Sequence, residues 1–164
     1  MDTVNEDSIR ELKELIETRD VAMFVTRNEA GHLQSRPMTT QCVEDNGDVW
    51  FMTHDNATVA QDVQASPQVC LNYGKHDDNI YVSVYGTALR VRDAKRIEEL
   101  WSVAHNAFFP EGKDDPHLLL LRVVPGSAEV WTGPSTSVGR VIAFAKAMAT
   151  SDATALGDKR DLVR

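Results

Sequence analysis

Residues 21–53 read VAMFVTRNEAGHLQSRPMTTQCVEDNGDVWFMT, and the fold follows from how this stretch is divided. Val21 to Arg27 is rich in Val, Phe and Thr, and the cluster Asn28-Glu29-Ala30-Gly31 carries turn residues ahead of a second run from His32 to Val43. Two such runs make a β-hairpin. A further turn, Asp45-Asn46-Gly47-Asp48, contains the Asn-Gly pair that readily takes positive φ, and it leads into Val49-Trp50-Phe51-Met52-Thr53. The stretch is therefore a meander of three strands.

Toward the N-terminus, Ser8 and Glu11 have capping-box spacing, and Ile9, Leu12, Leu15 and Ile16 share one helical face, which predicts a helix over about residues 8 to 18. Toward the C-terminus the period changes at Asn56. Val59, Ala60 and Val63 lie on one helical face until Ser66-Pro67 ends the helix, and strand character resumes at Gln68 to Tyr73. After the polar turn Lys75 to Asn79 comes a long β-branched and aromatic strand, Ile80 to Val91, with Gly86 as the expected site of a bulge. Asp93 is placed to cap a helix carrying Ile97, Leu100, Trp101 and Ala104 on one face, ending near Phe109-Pro110. Leu118 to Val124 and Ser127 to Thr132 read as two halves of a last strand about Pro125-Gly126, and Val138 to Met148 reads as a helix. Strands joined by short turns outnumber helices, so the expected fold is mainly β, a six-stranded antiparallel barrel with peripheral helices rather than βαβ units. One domain over residues 1–150 with a tail over 151–164 is the expected organisation.

The 164 residues carry a net charge of −8, and no run of Lys or Arg makes the basic stripe that a nucleic-acid backbone requires. The acidic start lacks the basic-then-apolar order of a secretion signal and no apolar stretch is long enough to span a bilayer, so neither nucleic acid nor membrane is an expected partner and a cytoplasmic location is expected. Cys42 and Cys70 stand apart in separate apolar segments and read as buried thiols. His105 and His117 have no His-x-x-x-His or Glu-x-x-His spacing, so no metal site is expected, and no Gly-x-Ser-x-Gly elbow marks a nucleophile.

The series Arg36-Pro37-Met38-Thr39, Trp50-Phe51-Met52-Thr53, Ser66-Pro67-Gln68-Val69, Tyr81-Val82-Ser83-Val84-Tyr85-Gly86-Thr87-Ala88, Ile97-Glu98-Glu99-Leu100-Trp101, Phe108-Phe109-Pro110-Glu111-Gly112 and Ala128-Glu129-Val130-Trp131 resembles the pyridoxamine 5′-phosphate oxidase-like split-barrel family. It looks closest to the general stress protein branch, and the ordered match spans roughly residues 8 to 148. The resemblance implies a homodimer with FMN across the interface and the flavin phosphate near the second and third strands and the helix after them. It implies a binding set of Arg36, Pro37, Met38, Thr39, Phe51, Met52, Thr53, Asn56, Thr58 and Trp131. Within that set Arg36 would pair with the phosphate, the Asn56-Ala57-Thr58 turn would offer N–H groups at a helix start, Thr53 and Thr58 would add hydroxyls, and the backbone of Arg36 to Thr39 would meet the polar edge of the ring. Trp131 would stack on the flavin of the partner subunit, with core packing as its alternative; Trp50 and Trp101 are explained by burial alone.

One position departs from the resemblance: Val59 stands where family members usually carry a Lys, so a basic partner for the phosphate is missing, and His54 is the nearest substitute. Three readings follow. The leading one is an FMN-dependent oxidoreductase or flavin-carrying stress protein whose substrate and catalytic residues the sequence does not name. The others are a dimeric stress or regulatory module that has lost its cofactor, and a binder of FAD or a deazaflavin. Vitamin B6 oxidation is not expected, because that branch carries a basic C-terminal segment where this chain reads Gly157-Asp158-Lys159-Arg160-Asp161-Leu162-Val163-Arg164. On this reading Arg36→Ala would weaken FMN binding and leave the fold intact, since it removes a charge partner and no core volume.

Overall fold

The computed structural model describes residues 6–75, 77–134, 148 and 157–163. In chain order its elements are α1 (Glu6–Glu17), β1 (Val21–Arg27), β2 (Leu33–Thr39), β3 (Cys42–Val43), β4 (Val49–His54), α2 (Thr58–Ala65), β5 (Gln68–Lys75), β6 (Ile80–Val91), α3 (Ala94–Leu100), a 3₁₀ turn (Val103–Ala107), β7 (Leu118–Thr132) and β8 (Asp158–Val163). The strands pair antiparallel in the order β2-β1-β5-β6-β7-β4-β3, with β8 added along β7. The outermost strands of that order, β2 and β3, are joined by Thr40 and Gln41 alone. Two residues span roughly 7 Å when extended, so the sheet has to curl until its two ends meet. The result is the expected barrel, open along one seam. Its six main strands are β1, β2, β4, β5, β6 and β7, and β3 and β8 are short additions.

Alternation along the strands sorts the side chains into two layers. Phe24, Val49, Phe51, Leu71, Val82, Val84, Leu119 and Leu121 point into the barrel, where α1 contributes Leu12 and Ile16 and α2 contributes Val59, Ala60 and Val63. The other face of β4 and β7 is covered too: Trp50, Met52, Leu118 and Leu120 pack against Ile97 of α3 and Phe109. The amphipathic helix foreseen after Asp93 thus has its partner in the outer face of β4. The Asp93 side chain accepts from the Arg96 N–H at 3.1 Å, as a cap should. The register between β6 and β7 shifts at Tyr85/Gly86, and a Cβ on Gly86 would lie 2.6 Å from the Val124 carbonyl oxygen, so the bulge requires glycine.

The structure redraws three boundaries. The run His32 to Val43 breaks at Thr40-Gln41, because the Thr40 N–H goes to the Asp20 carbonyl at 2.6 Å while the Gln41 N–H goes to Trp50 at 2.8 Å: the chain changes ladder partners there. The helix after Asp93 ends at Leu100 instead of running on to near Phe109-Pro110, because the Ser102 N–H turns to His105 Nδ1 at 2.8 Å and opens the separate 3₁₀ turn. Asp158–Val163, assigned by sequence to the tail, pairs with β7, with Leu162 against the core and Arg160 on Glu11 at 2.6 Å. The helix expected over Val138 to Met148 lies outside the described residues except for Met148, which is helical.

A polar cluster ties β2, β1 and α2 together. Arg36 Nη1 donates to Thr26 Oγ1 at 2.7 Å, Arg36 Nη2 lies 3.2 Å from Asp62 Oδ2, and Thr26 Oγ1 donates to the same carboxylate oxygen at 2.6 Å. The side chains of Asp62 and Arg36 are 7% and 23% exposed, so the carboxylate is charged in a dry setting and depends on its two partners. This overturns the expectation that Arg36 is dispensable for folding. Arg36→Ala should lower the unfolding free energy by about 3 kcal/mol, because it strands a buried carboxylate. In urea denaturation, the Arg36→Ala/Asp62→Ala double variant should lose at least about 1 kcal/mol less than the two single losses added together.

Candidate functional site

At the barrel's open seam, where β2 parts from β4, lies a cleft of about 360 Å³ lined by Pro37, Met38 and Thr39 of β2, Gln41 of the link, Met52 of β4, and Ser102, Ala104, His105, Phe108 and Phe109 of the segment after α3. Each wall has a local cause. Pro37 sits opposite Met23 on a strand with one ladder neighbour, the sheet-edge setting that tolerates a residue without an N–H. Met52 points outward because Phe51 points inward. The 3₁₀ turn is pinned by its histidine: the backbone N–H of Ser102 donates to Nδ1 at 2.8 Å, so Nδ1 is an acceptor and Nε2 carries the proton, which it gives to Gln41 Oε1 at 2.6 Å. That bond ties the turn to the β2–β3 link. On the link's other side, Thr40 Oγ1 lies 2.8 Å from the hydroxyl of Tyr73, whose phenol is pushed up from its ordinary pKa by burial, the Thr40 hydrogen bond opposing, and stays protonated.

The ten residues of the expected binding set do not all meet here. Pro37, Met38, Thr39 and Met52 line the cleft. Arg36, next along β2, is turned to Thr26 and Asp62. Phe51 is in the barrel interior, edge-on to Phe24 with ring centroids 5.0 Å apart, so only its backbone faces the seam. Thr53 is buried, while Asn56 and Thr58 are exposed where α2 begins. Ala57 occupies the N-cap with no side-chain hydrogen bond; the Ala60 and Gln61 N–H groups go to its carbonyl at 3.0 and 3.1 Å, so the N–H groups of Thr58 and Val59 are the ones left without a helical acceptor. Trp131 is elsewhere on the protomer: it pairs with Tyr81, lies under the Lys159 ammonium at 5.7 Å, and lines a separate pocket of about 270 Å³. His54, the nearest substitute for the missing Lys, lies 3.1 Å from Asp115 Oδ2 and edge-on to Phe109. Val59 is core.

Sequence reasoning passed over Gln41, Ser102, His105 and Phe108. The three-residue spacing of Ser102 and His105 is a capping spacing and was the available signal; nothing local tells Gln41 that His105 will arrive 64 residues later. His117 and Asp55 form a second small cluster at the start of β7, 3.1 Å apart, and Asp55 is held below its usual pKa chiefly by its hydrogen bond to Arg92. Among the described residues no group of His, Cys, Asp or Glu could hold a metal ion, and no helix is long and apolar enough to cross a membrane.

The cleft's lining is mixed: Pro37, Met38, Met52, Ala104, Phe108 and Phe109 offer apolar contact, and Thr39, Gln41, Ser102 and His105 offer polar groups. The start of α2 lies outside that lining; around the helix Arg36 pairs with Asp62, Arg92 with Asp55, and Arg90 donates to Gln64.

Among solved structures the chain is similar to a Jannaschia sp. CCS1 protein assigned as general stress protein 26, with a TM-score of 0.71 at 24% identity over 96% of this chain and 99% of that one. It is also similar to the general stress FMN/FAD binding protein of the phytopathogen Xanthomonas citri, with a TM-score of 0.66 at 25% identity over 79% of this chain and 90% of that one. A third is PhzG of Burkholderia lata 383, in complex with tetrahydrophenazine-1-carboxylic acid, with a TM-score of 0.64 at 17% identity over 77% and 80% of the two chains. No curated protein matches the chain. A family model described as pyridoxamine 5′-phosphate oxidase like matches residues 7–154, nearly the whole of the barrel derived above. The chain therefore belongs to the pyridoxamine 5′-phosphate oxidase-like family.

Proposed function

We propose that the chain is a flavin-binding protein whose ring lies in the seam cleft, and that it works as a flavin-dependent oxidoreductase. The observation that carries this reading is the cleft itself: a slot of about 360 Å³ at the seam, with Pro37, Met38, Met52, Phe108 and Phe109 among its walls. Membership of the family and the likeness to an FMN/FAD binding protein of Xanthomonas citri support it. A bound flavin supplies two-electron redox chemistry. The chain's own residues bind and orient it. Met38, Met52 and Phe108 pack on the ring, the backbone of Pro37 to Thr39 meets its polar edge, and the His105–Gln41 bond holds the 102–109 wall in place. FMN is the flavin the family suggests, with FAD and a deazaflavin as rivals. The alternative of a module that has lost its cofactor is favoured by Val59 being core and by Arg36 being spent on Asp62.

We also propose a homodimer. Val21 and Met23 of β1, Tyr81, Tyr85 and Leu89 of β6, and Trp131 of β7 are all more than a third exposed on paired strands, apolar side chains that a second copy would cover. On that arrangement the interface brings the partner subunit's Trp131 toward the cleft.

Quenching of flavin fluorescence on titrating FMN, FAD or a deazaflavin into the purified protein is the direct test, and no quenching by any of them at 100 µM protein would sink the proposal. Phe108→Ala removes a ring that is 74% exposed and no core volume, so it should weaken flavin binding about tenfold with thermal stability unchanged. Sedimentation equilibrium should return twice the 18.2 kDa chain mass at micromolar concentration, and Tyr85→Asp should shift it to the monomer; a wild-type monomer would remove the dimer.

A further inference from the structure

We infer that His105 makes the seam cleft sensitive to pH: its neutral imidazole caps the turn that forms one wall, and its protonation uncaps that wall and releases the flavin. The inference rests on the flavin reading above and adds how that site is regulated.

Among the described residues that line the cleft, His105 is the one titratable side chain. Two separate bonds fix its state. The Ser102 N–H lies 2.8 Å from Nδ1, which therefore has to offer a lone pair. On the ring's other side, Gln41 gives its amide N–H to the Thr39 carbonyl at 3.1 Å, which turns Oε1 toward Nε2 at 2.6 Å and calls for a proton there. The neutral ring protonated at Nε2 meets both demands. A second proton leaves the Gln41 bond in place and sets N–H against N–H at the Ser102 end. The Ser102 carbonyl, 3.2 Å from Nδ1, can take that proton, but the Ser102 N–H then loses its acceptor and the turn its cap.

Little burial holds this wall without the cap. Of residues 102–109 Phe109 alone is buried, while Val103 and Phe108 are 84% and 74% exposed. Ala104, Phe108 and Phe109 owe their place on the cleft to the geometry of the turn. The charged groups of the elements packed around it are engaged with one another: Arg36 of β2 with Asp62, His54 of β4 with Asp115, Lys95 and Arg96 of α3 with Glu99, Arg96 also with Glu44 and the Cys42 thiol, and Glu98 with Lys113. Tyr73, beyond Thr40, stays protonated, and Glu111 and Asp114 of the following loop are exposed. Protonation of His54 tightens its pair with Asp115, so it acts on this region with the opposite sign. Histidine is the side chain whose charge changes between about pH 5 and 8. The cleft therefore holds its flavin best above that range and loses it as pH falls through it.

The experiment follows tryptophan emission of the flavin-free protein from about pH 8 to about pH 5.5, and titrates FMN at both ends of that range. It uses wild type, His105→Gln and Gln41→Glu, with circular dichroism to check that each is folded. Trp101 lies beside His105 with ring centroids 5.2 Å apart, so its emission reports the charge on the imidazole. Glutamine at the third position of the turn still accepts from the Ser102 N–H, as in a capping box, and does not titrate. The FMN phosphate titrates in the same range in wild type and in His105→Gln, so the ratio between them removes its effect. Wild type should show an emission step that His105→Gln lacks, and relative to His105→Gln its FMN affinity should fall about fivefold on acidification, the worth of one net hydrogen bond. Gln41→Glu sets a carboxylate on Nε2, favours the charged ring and should move the step to higher pH by about one pH unit; it decides the matter should His105→Gln fail to fold. An acid-to-base affinity ratio in wild type within about twofold of that in His105→Gln, or a step unmoved in Gln41→Glu, overturns the inference and leaves the flavin reading standing. Failure of FMN to bind at either pH overturns the flavin reading and the release of flavin with it, whatever the emission step shows.

Discussion

Two residues, Thr40 and Gln41, join the strands that lie at opposite ends of the sheet order, and most of the molecule's form depends on that short connection. A sheet whose terminal strands are covalently held within a few ångströms cannot stay open, so its twist resolves into a curl. Along that connection the chain passes from pairing with β1 to pairing with β4, so β2 and β4 share no ladder and the barrel keeps a seam. The link is itself fixed from both sides, by Asp20 and Tyr73 on one and by Trp50 and His105 on the other.

The seam gives the fold its cleft and also its weak point. Above it, the outer face of β4 needs a cover, which α3 and the 3₁₀ turn provide with Ile97 and Phe109. Below it, β2 has one ladder neighbour, and the Arg36–Asp62–Thr26 cluster anchors its middle to β1 and α2. The Arg36 guanidinium is thereby used within the protein, on a carboxylate that is itself nearly buried.

Much of the fold was legible in residue patterns. The hairpin at Asn28 to Gly31, the Asn46-Gly47 turn, the Asp93 cap and the bulge at Gly86 are each set by a few neighbouring residues, and each is where those residues place it. Less of the candidate site was legible. Pro37, Met38, Thr39 and Met52 lie in the cleft, but Arg36 turns away, Phe51 points inward by the two-residue period of its strand, and Trp131 belongs to another part of the protomer. Gln41 and His105 meet across 64 residues with no shared motif to announce them.

The sequence by itself determined the element types, most turns, the apolar layers and the family, because these depend on short-range sterics and on the period with which apolar residues recur. Tertiary structure alone decided which partners the polar side chains found. Arg36 could have faced solvent, a ligand or a carboxylate, and its choice of Asp62 follows from where α2 docks against β1, a placement set by core packing around Val59, Ala60 and Val63 rather than by anything near Arg36 in the chain. A charge answers to its neighbours in space, and those are known only once the barrel has closed.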